Sequence, residues 1–484
     1  MQEMETKTSR EQLGFWGLTA VAISGTVASG VFSLAGDFPK EGASQGAVII
    51  GWIICGLGMF GIMRVFFGLS YVKPELRGGI YSFARAGFGE FVGFFSAWGY
   101  WISTWLSLVA LSNLLFSAIG GFIPFFGVGN SLQSVIGSSI YLWILVILII
   151  RGVEGASFVN ITLTAAKMIP LFMFIILTFL MGKFDMSLFL NNFWGDGTLP
   201  LMKQVAGTSL ITLWVFVGIE GAVVVSNRAK RMTDVAKASA TSFFFVLILY
   251  ILISLVSMGI MPPEELAALP DPNLAYIMAY VVGDWGAILI NVGVVISLMG
   301  GLLAVLVEAM EVSNSAAKMG SFCRFFAKEN KNGSPTNSLV LSMIIAQIIL
   351  IITYFNESTF QALYYMTGST LMLPYLLCAL YYAMVVRKKD GMDTYAPGGK
   401  FRFEVIVAFL AVIYGLWLVY AAGLEYLLAN CMFYTPGILV YLKGKMEKNE
   451  KPFKSTYDYI VLAVVVAAGI LCAILLILGK IVLF

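Results

Sequence analysis

An all-α, polytopic membrane protein is the fold class this sequence predicts, and three observations predict it. Of 484 residues, 59% are hydrophobic and only 12% are charged, against about 25% charged in an average soluble domain. The apolar residues gather in runs of roughly the 20 residues that a helix needs to cross a bilayer core. No polar stretch is long enough to form a soluble domain, although length alone would allow about three.

About thirteen segments qualify as spans. They lie near 14–35, 46–72, 90–120, 136–152, 155–182, 205–226, 239–261, 284–313, 338–354, 358–386, 403–423, 425–442 and 459–479. Lys and Arg collect in alternate loops, as the positive-inside rule requires. Lys73, Arg77 and Arg85 follow the second segment; Arg228, Lys230, Arg231 and Lys237 the sixth; Lys318, Arg324, Lys328 and Lys331 the eighth. Arg387, Lys388, Lys389, Lys400 and Arg402 follow the tenth, and Lys443, Lys445, Lys448, Lys451 and Lys454 the twelfth. With Lys7, Arg10 and Arg151, 24 of the 30 basic residues fall on one side. This predicts a cytoplasmic N-terminus, and an odd span count then places the C-terminus outside. Met1 to Leu13 is polar and unlike a cleavable signal, so it reads as a cytoplasmic segment, 1–13, of a multi-pass protein of the inner or plasma membrane.

Five cysteines form no CxxC pair, and histidine is absent. No disulfide framework, metal site or cofactor is expected, and the net charge of +3 gives no reason to expect a nucleic-acid partner.

Most of the 49 glycines suit helix packing. Two clusters differ. The first segment contains Ser24-Gly25-Thr26-Val27-Ala28-Ser29-Gly30, and the sixth contains Trp214-Val215-Phe216-Val217-Gly218-Ile219-Glu220-Gly221. Both place small or polar residues at mid-membrane depth, where transporters built from inverted repeats bind substrate. An unwound turn frees N–H and C=O groups that a regular helix consumes. Half-helix N-termini attract a carboxylate and C-termini an ammonium, which suits a zwitterionic amino acid. The two segments lie five apart, the spacing of repeated five-helix halves. That divides the chain into 14–182, 205–386 and accessory helices over 403–484.

Ionisable residues within a membrane default to functional hypotheses. Glu220 sits in the second cluster. Lys167 lies in the middle of the fifth segment, able to pair with a carboxylate or to supply a fixed positive charge. Arg64, nearer the cytoplasmic end, is expected to snorkel. Glu308 and Glu311 are assigned either to a vestibule or to the interface. Tyr100, Trp101, Trp105 and Tyr375 read individually as belt or packing residues.

Three stretches carry a family resemblance. One is Lys73-Pro74-Glu75-Leu76-Arg77-Gly78-Gly79-Ile80-Tyr81, continuing to Ser96-Ala97-Trp98-Gly99-Tyr100-Trp101. The others are Thr212 to Ser226, and Ile413-Tyr414-Gly415-Leu416-Trp417 with Tyr420-Ala421. With them the chain resembles the amino acid–polyamine–organocation superfamily over nearly its whole length, and within it the bacterial arginine/ornithine antiporters. The resemblance implies a five-plus-five inverted repeat with discontinuous first and sixth helices. It implies amides near Ala28, Ser29 and Gly30 for the substrate carboxylate, and carbonyls of Thr26, Trp214 and Val217 for its ammonium. Trp214 would cover the substrate, and Ser103, Thr104 and Thr367 would touch its side chain. Tyr100, Glu220 and Tyr375 match an inner gate, and Lys167 the lysine that takes the sodium position in some relatives.

The chain also departs from that pattern. The usual Met-Ile/Leu-Gly-small-Gly of the first helix is Thr26-Val27-Ala28-Ser29-Gly30 here, and Ser-Leu-Pro is Ser33-Leu34-Ala35. Where the eighth helix usually offers a tryptophan, Leu302 and Val305 stand; a guanidinium–indole contact of about 0.5–2 kcal/mol is thereby lost. The expected function is a non-enzymatic amino-acid antiporter exchanging arginine for ornithine, with the lipid bilayer as its setting and a homodimer left open. Exchange of another amino acid for its decarboxylated amine, proton-coupled import, and a non-transporting membrane sensor are the alternatives.

Overall fold

Long apolar runs close their own backbone hydrogen bonds when helical, which is the condition for lying in lipid. Every regular element among the described residues is accordingly a helix. The computed structural model describes residues 14–76, 80–151, 157–219, 230–331, 333–356 and 360–481. In chain order the helices are α1 (Phe15–Thr26), α2 (Leu34–Lys40), α3 (Gln45–Val72), α4 (Ile80–Phe88), α5 (Glu90–Gly120) and α6 (Leu132–Ile150). Then come α7 (Ser157–Leu180), α8 (Met186–Leu190), α9 (Leu201–Val215), α10 (Met232–Ser257), α11 (Pro263–Ala268) and α12 (Asn273–Val282). The remainder are α13 (Asp284–Lys318), α14 (Thr336–Asn356), α15 (Phe360–Lys388), α16 (Met392–Tyr395), α17 (Lys400–Glu447) and α18 (Thr456–Ile477).

Among the described residues, nine helices are long and apolar enough to cross a membrane by length and composition. A count of thirteen requires α17 to be divided at Gly423, where φ is 77° and ψ 172°. It also requires α7, α9 and the α1–α2 pair each to cross. The first span runs on to Lys40 rather than ending at residue 35, because Asp37, Pro39 and Lys40 belong to a second helical piece. The seventh begins at Met232 rather than 239: its first turns carry Asp234 and Lys237, which an apolar run excludes. Two loops hold short helices, α4 and α12, each joined to a long one through a single glycine. Gly89 (φ 87°, ψ 177°) links α4 to α5, and Gly283 (φ 90°, ψ −177°) links α12 to α13.

α5 is buried along nearly its whole length and packs against α13 and α15. The periphery is apolar: Ile53, Ile140, Ile176, Ile248, Ile348 and Ile470 are all exposed, the composition of a lipid-facing surface. At the end bearing the basic loops, ion pairs tie successive loops together. Lys73 meets Asp390 at 2.6 Å, Arg85 meets Glu90 at 2.6 Å, and Lys445 meets Glu90 at 2.7 Å and Glu450 at 2.8 Å. The hydrogen bond from Lys445 holds the Glu450 carboxyl below its usual range, and a hydrogen bond to Glu90 lifts the Lys454 ammonium. At the opposite end Ser44 donates to Gln204 Oε1 at 2.7 Å, and Gly46 N–H to Phe193 O at 2.8 Å.

Arg64 does not simply snorkel. It is ion-paired with Glu404 of α17, whose second oxygen accepts from Tyr382 Oη at 2.6 Å. The guanidinium also lies 5.6 Å from the ring centres of Phe67, Tyr395 and Phe403. A carboxylate brought in from a helix some 340 positions away satisfies it, so it need not reach for the interface.

Candidate substrate site between two helix breaks

α1 stops at Thr26. Val27 still donates to Ile23 O (2.8 Å), but its ψ of 71° ends the helix. Ala28 N–H turns back to Thr26 O (3.0 Å), and Ser29 (φ −132°, ψ −46°) leads into a 3-10 turn, Gly30–Phe32, before α2. The local sequence favours the stop: β-branched Thr26 and Val27 and then Ser29 and Gly30 are all weaker helix formers than alanine. Among the described residues the N–H groups of Ser29 and Gly30 have no acceptor. Adjacent amides of this kind suit a carboxylate.

The carbonyls freed at the break are largely occupied. Thr26 O accepts from Tyr250 Oη (2.9 Å) as well as from Ala28 N–H, so both lone pairs are used. Ala28 O accepts from Ser297 Oγ at 2.6 Å. Ser24 O accepts from Lys167 Nζ at 2.7 Å, with Ser24 Oγ at 3.3 Å. Lys167 is 4% exposed and, among the described residues, forms no ion pair.

The sixth-segment break follows α9. Phe216 N–H bonds to Leu213 O (3.2 Å), Val217 N–H to Trp214 O (3.1 Å) and Ile219 N–H to Phe216 O (3.1 Å), and Gly218 has φ 95°. Glu220, assigned above to a gate, lies outside the described residues. The two breaks touch. A methyl added at Gly30 would come within 2.5 Å of Val215 Cγ1 and 3.1 Å of Trp214 Cδ1. One added at Gly218 would come within 2.7 Å of Gly25 O.

Trp214 is 7% exposed and stacks on Tyr364, with ring centres 5.8 Å apart and an interplanar angle of 17°. Among the described residues its buried indole N–H has no partner, which leaves it a donor for a ligand. Ser103, Thr104 and Thr367 are buried, and each donates within its own helix: to Tyr100 O at 2.6 Å, Trp101 O at 2.6 Å and Leu363 O at 3.0 Å. Their oxygens retain lone pairs for a donor-rich side chain. Tyr100 Oη donates to Glu308 Oε1 at 2.5 Å, which places Glu308 beneath the site rather than at the interface. Tyr375 is buried, edge-on to Phe66 at 5.3 Å. Leu302 is buried and Val305 half-buried; the contact that α13 makes with the first break comes instead from Ser297.

Exposure is graded across this region. Ala28, Val217, Gly218, Tyr100 and Glu308 are half-buried on the side of the basic loops, whereas Gly30, Val31, Phe32, Trp214 and Thr367 are buried on the other. The side chains about the breaks are thus less buried toward the basic end than toward the other. Sequence reading missed Tyr250, Ser297 and Tyr364. Their signal is no more than an ordinary hydroxyl in an apolar helix, and only tertiary packing shows which carbonyl or ring it meets.

Comparison with known proteins places this arrangement. The amino acid permease family matches residues 13–441. A protein of Pseudomonas aeruginosa named arginine/ornithine antiporter is 38% identical over 473 residues, covering 96% of this chain and 97% of that protein. One of Chlamydia pneumoniae named arginine/agmatine antiporter is 36% identical, covering 93% of each. Among solved structures, MhsT in complex with L-phenylalanine superposes with a TM-score of 0.61 at 12% identity, covering 86% of this chain and all of that one. At that identity the likeness is one of fold.

Proposed function

The chain belongs to the amino acid permease family, and on that premise we propose that it exchanges arginine for ornithine across the bacterial plasma membrane by alternating access. The observation that carries this reading is the pair of facing breaks: free amides at Ser29 and Gly30 lie against Trp214. The amides would hold the substrate carboxylate, and the Val217 carbonyl, with Trp214 O and Thr26 O, the ammonium. Thr26 O would first have to release Tyr250 or Ala28. Trp214 would cover the ligand, and Ser103, Thr104 and Thr367 would meet its side chain. Residues 14–182 and 205–386 would be the two repeats, with 403–484 appended. The basic loops mark the cytoplasmic side and put the N-terminus there.

Tyr100, Glu220, Tyr375 and, from the structure, Glu308 would form the inner gate. Lys167 would hold the end of α1 where a coupled sodium ion would otherwise be needed. The decisive experiment is counterflow in proteoliposomes: preloaded ornithine should accelerate entry of labelled arginine, without sodium. Undiminished uptake into empty liposomes rejects exchange. A second reading, arginine for its decarboxylated amine agmatine, draws on the Chlamydia relative's name and on Leu302 and Val305 in the eighth helix. Agmatine lacks the carboxylate that Ser29 and Gly30 would hold, so it should compete worse than ornithine; the reverse order would favour the second reading.

A further inference from the structure

We propose that Asp37 and Asp271 form a recognition site for the cationic end of an entering substrate, a site occupied by the Lys40 ammonium in this structure. The inference rests on the reading of the substrate as a cationic amino acid. Lys40 Nζ lies 3.2 Å from Asp271 Oδ2 and 3.6 Å from Asp37 Oδ1, and the two carboxylates are 12% and 2% exposed. The neighbouring Glu41 carboxylate accepts from Tyr365 Oη at 2.8 Å. One ammonium thus faces two nearly buried carboxylates, with a third beside them.

The surroundings leave oxygen lone pairs open to a further donor. Asn273 Nδ2 donates to Asp271 Oδ1 (3.2 Å) and to Ser33 O (2.7 Å). Among the described residues, the buried Asn273 Oδ1 and Ser33 Oγ have no hydrogen-bond partner, while the buried Tyr364 hydroxyl lies within hydrogen-bonding reach of Asp37. An ammonium offers three N–H donors, a guanidinium five in a planar fork. A guanidinium in place of the lysine would bring more donors to these oxygens.

Position gives the site its role. α2 is the half of the broken first helix beyond the substrate amides, and Asp271 lies just before α12 at the end opposite the basic loops. Tyr364 lies beside Asp37 and stacks on Trp214, so the cluster sits directly above the cover of the substrate site. A cation that takes Asp271 from Lys40 breaks the ion pair between α2 and the α11–α12 connection, beside the ring that stacks on Trp214. Recognition of the ligand and release of that ion pair are then one event.

The test measures arginine exchange in vesicles of both orientations, so that each face is read separately. Asp271→Asn should raise KM for arginine presented at the end opposite the basic loops about fivefold or more, with less than about twofold change in kcat or in KM at the basic-loop face. Lys40→Gln should lower that KM, whereas Lys40→Arg, which keeps a competing cation in place, should not lower it, a comparison that guards against simple misfolding. If folded, exchanging Asp37→Asn and Asp271→Asn variants leave KM unchanged, or change it equally at both faces, the relay is overturned. If the parent exchanges no cationic amino acid at all, it is the functional reading that fails, a result distinct from the former.

Discussion

Lys167 presents its ammonium to the last turn of α1, donating to Ser24 O at 2.7 Å. A cation at a helix C-terminus is stabilised by the exposed carbonyls there, and the hydrogen bond of a charged donor contributes about 1.5–3 kcal/mol. Lys167→Met should therefore slow exchange roughly tenfold or more, measured by counterflow, and sodium should not restore it. Full activity in that variant would remove the lysine from the mechanism. Gly30 is the point of closest approach between the breaks. The methyl of Gly30→Ala meets Val215 Cγ1 at 2.5 Å, and overpacking of this kind costs about 1–3 kcal/mol. We expect a folded, monodisperse protein whose arginine binding is weakened at least about tenfold. Tyr100→Phe and Glu308→Leu each remove one shared hydrogen bond, so their effects on exchange should be strongly non-additive; simple additivity would place the two residues in separate roles. The breaks beside Ser29, Gly30 and Trp214 were legible in the sequence because small residues and an indole are conspicuous in mid-span. Tyr250 and Ser297 were not, because a helical hydroxyl ordinarily bonds its own backbone and nothing local says when it reaches across.

At the level of elements, the span pattern could be read because hydrophobicity and loop charge are both periodic along the chain. What escaped were pieces shorter than a span. α4 and α12 have nine and ten residues, too few to cross a bilayer. Each meets its long partner at a glycine whose backbone lies where other residues are strained by about 1–3 kcal/mol. Gly89→Ala and Gly283→Ala should each lower stability by about that amount, read as a reduced melting temperature in detergent. No loss would mean that the joints bend differently in solution. The Arg64–Glu404 pair also escaped, since nothing in sequence links α3 to α17. The Glu404 side chain is 3% exposed, and stranding one partner of a buried pair costs about 3–5 kcal/mol. Arg64→Ala should destabilise the protein by that order, whereas the double variant Arg64→Met with Glu404→Met should be far milder. Equal losses would show that the charge pair itself is not the determinant.

For the molecule as a whole, the architecture followed from composition, while its conformation did not: nothing in the residues says which mouth is the less buried. Among the described residues, those about the breaks are less buried toward the basic end than toward the other. The two glycine joints bear on this asymmetry. The α4–α5 joint lies at the basic end, and the α12–α13 joint at the opposite end, with the long helices running in opposite directions. The same part is thus present twice, in upended copies. If the two copies can exchange shapes, the chain already contains a template for its other state. Threading the first copy onto the backbone of the second, and the reverse, yields a molecule less buried at the far mouth and more buried at the basic one. Distances between spin labels placed across each mouth could be calculated from that construction before any second structure is determined.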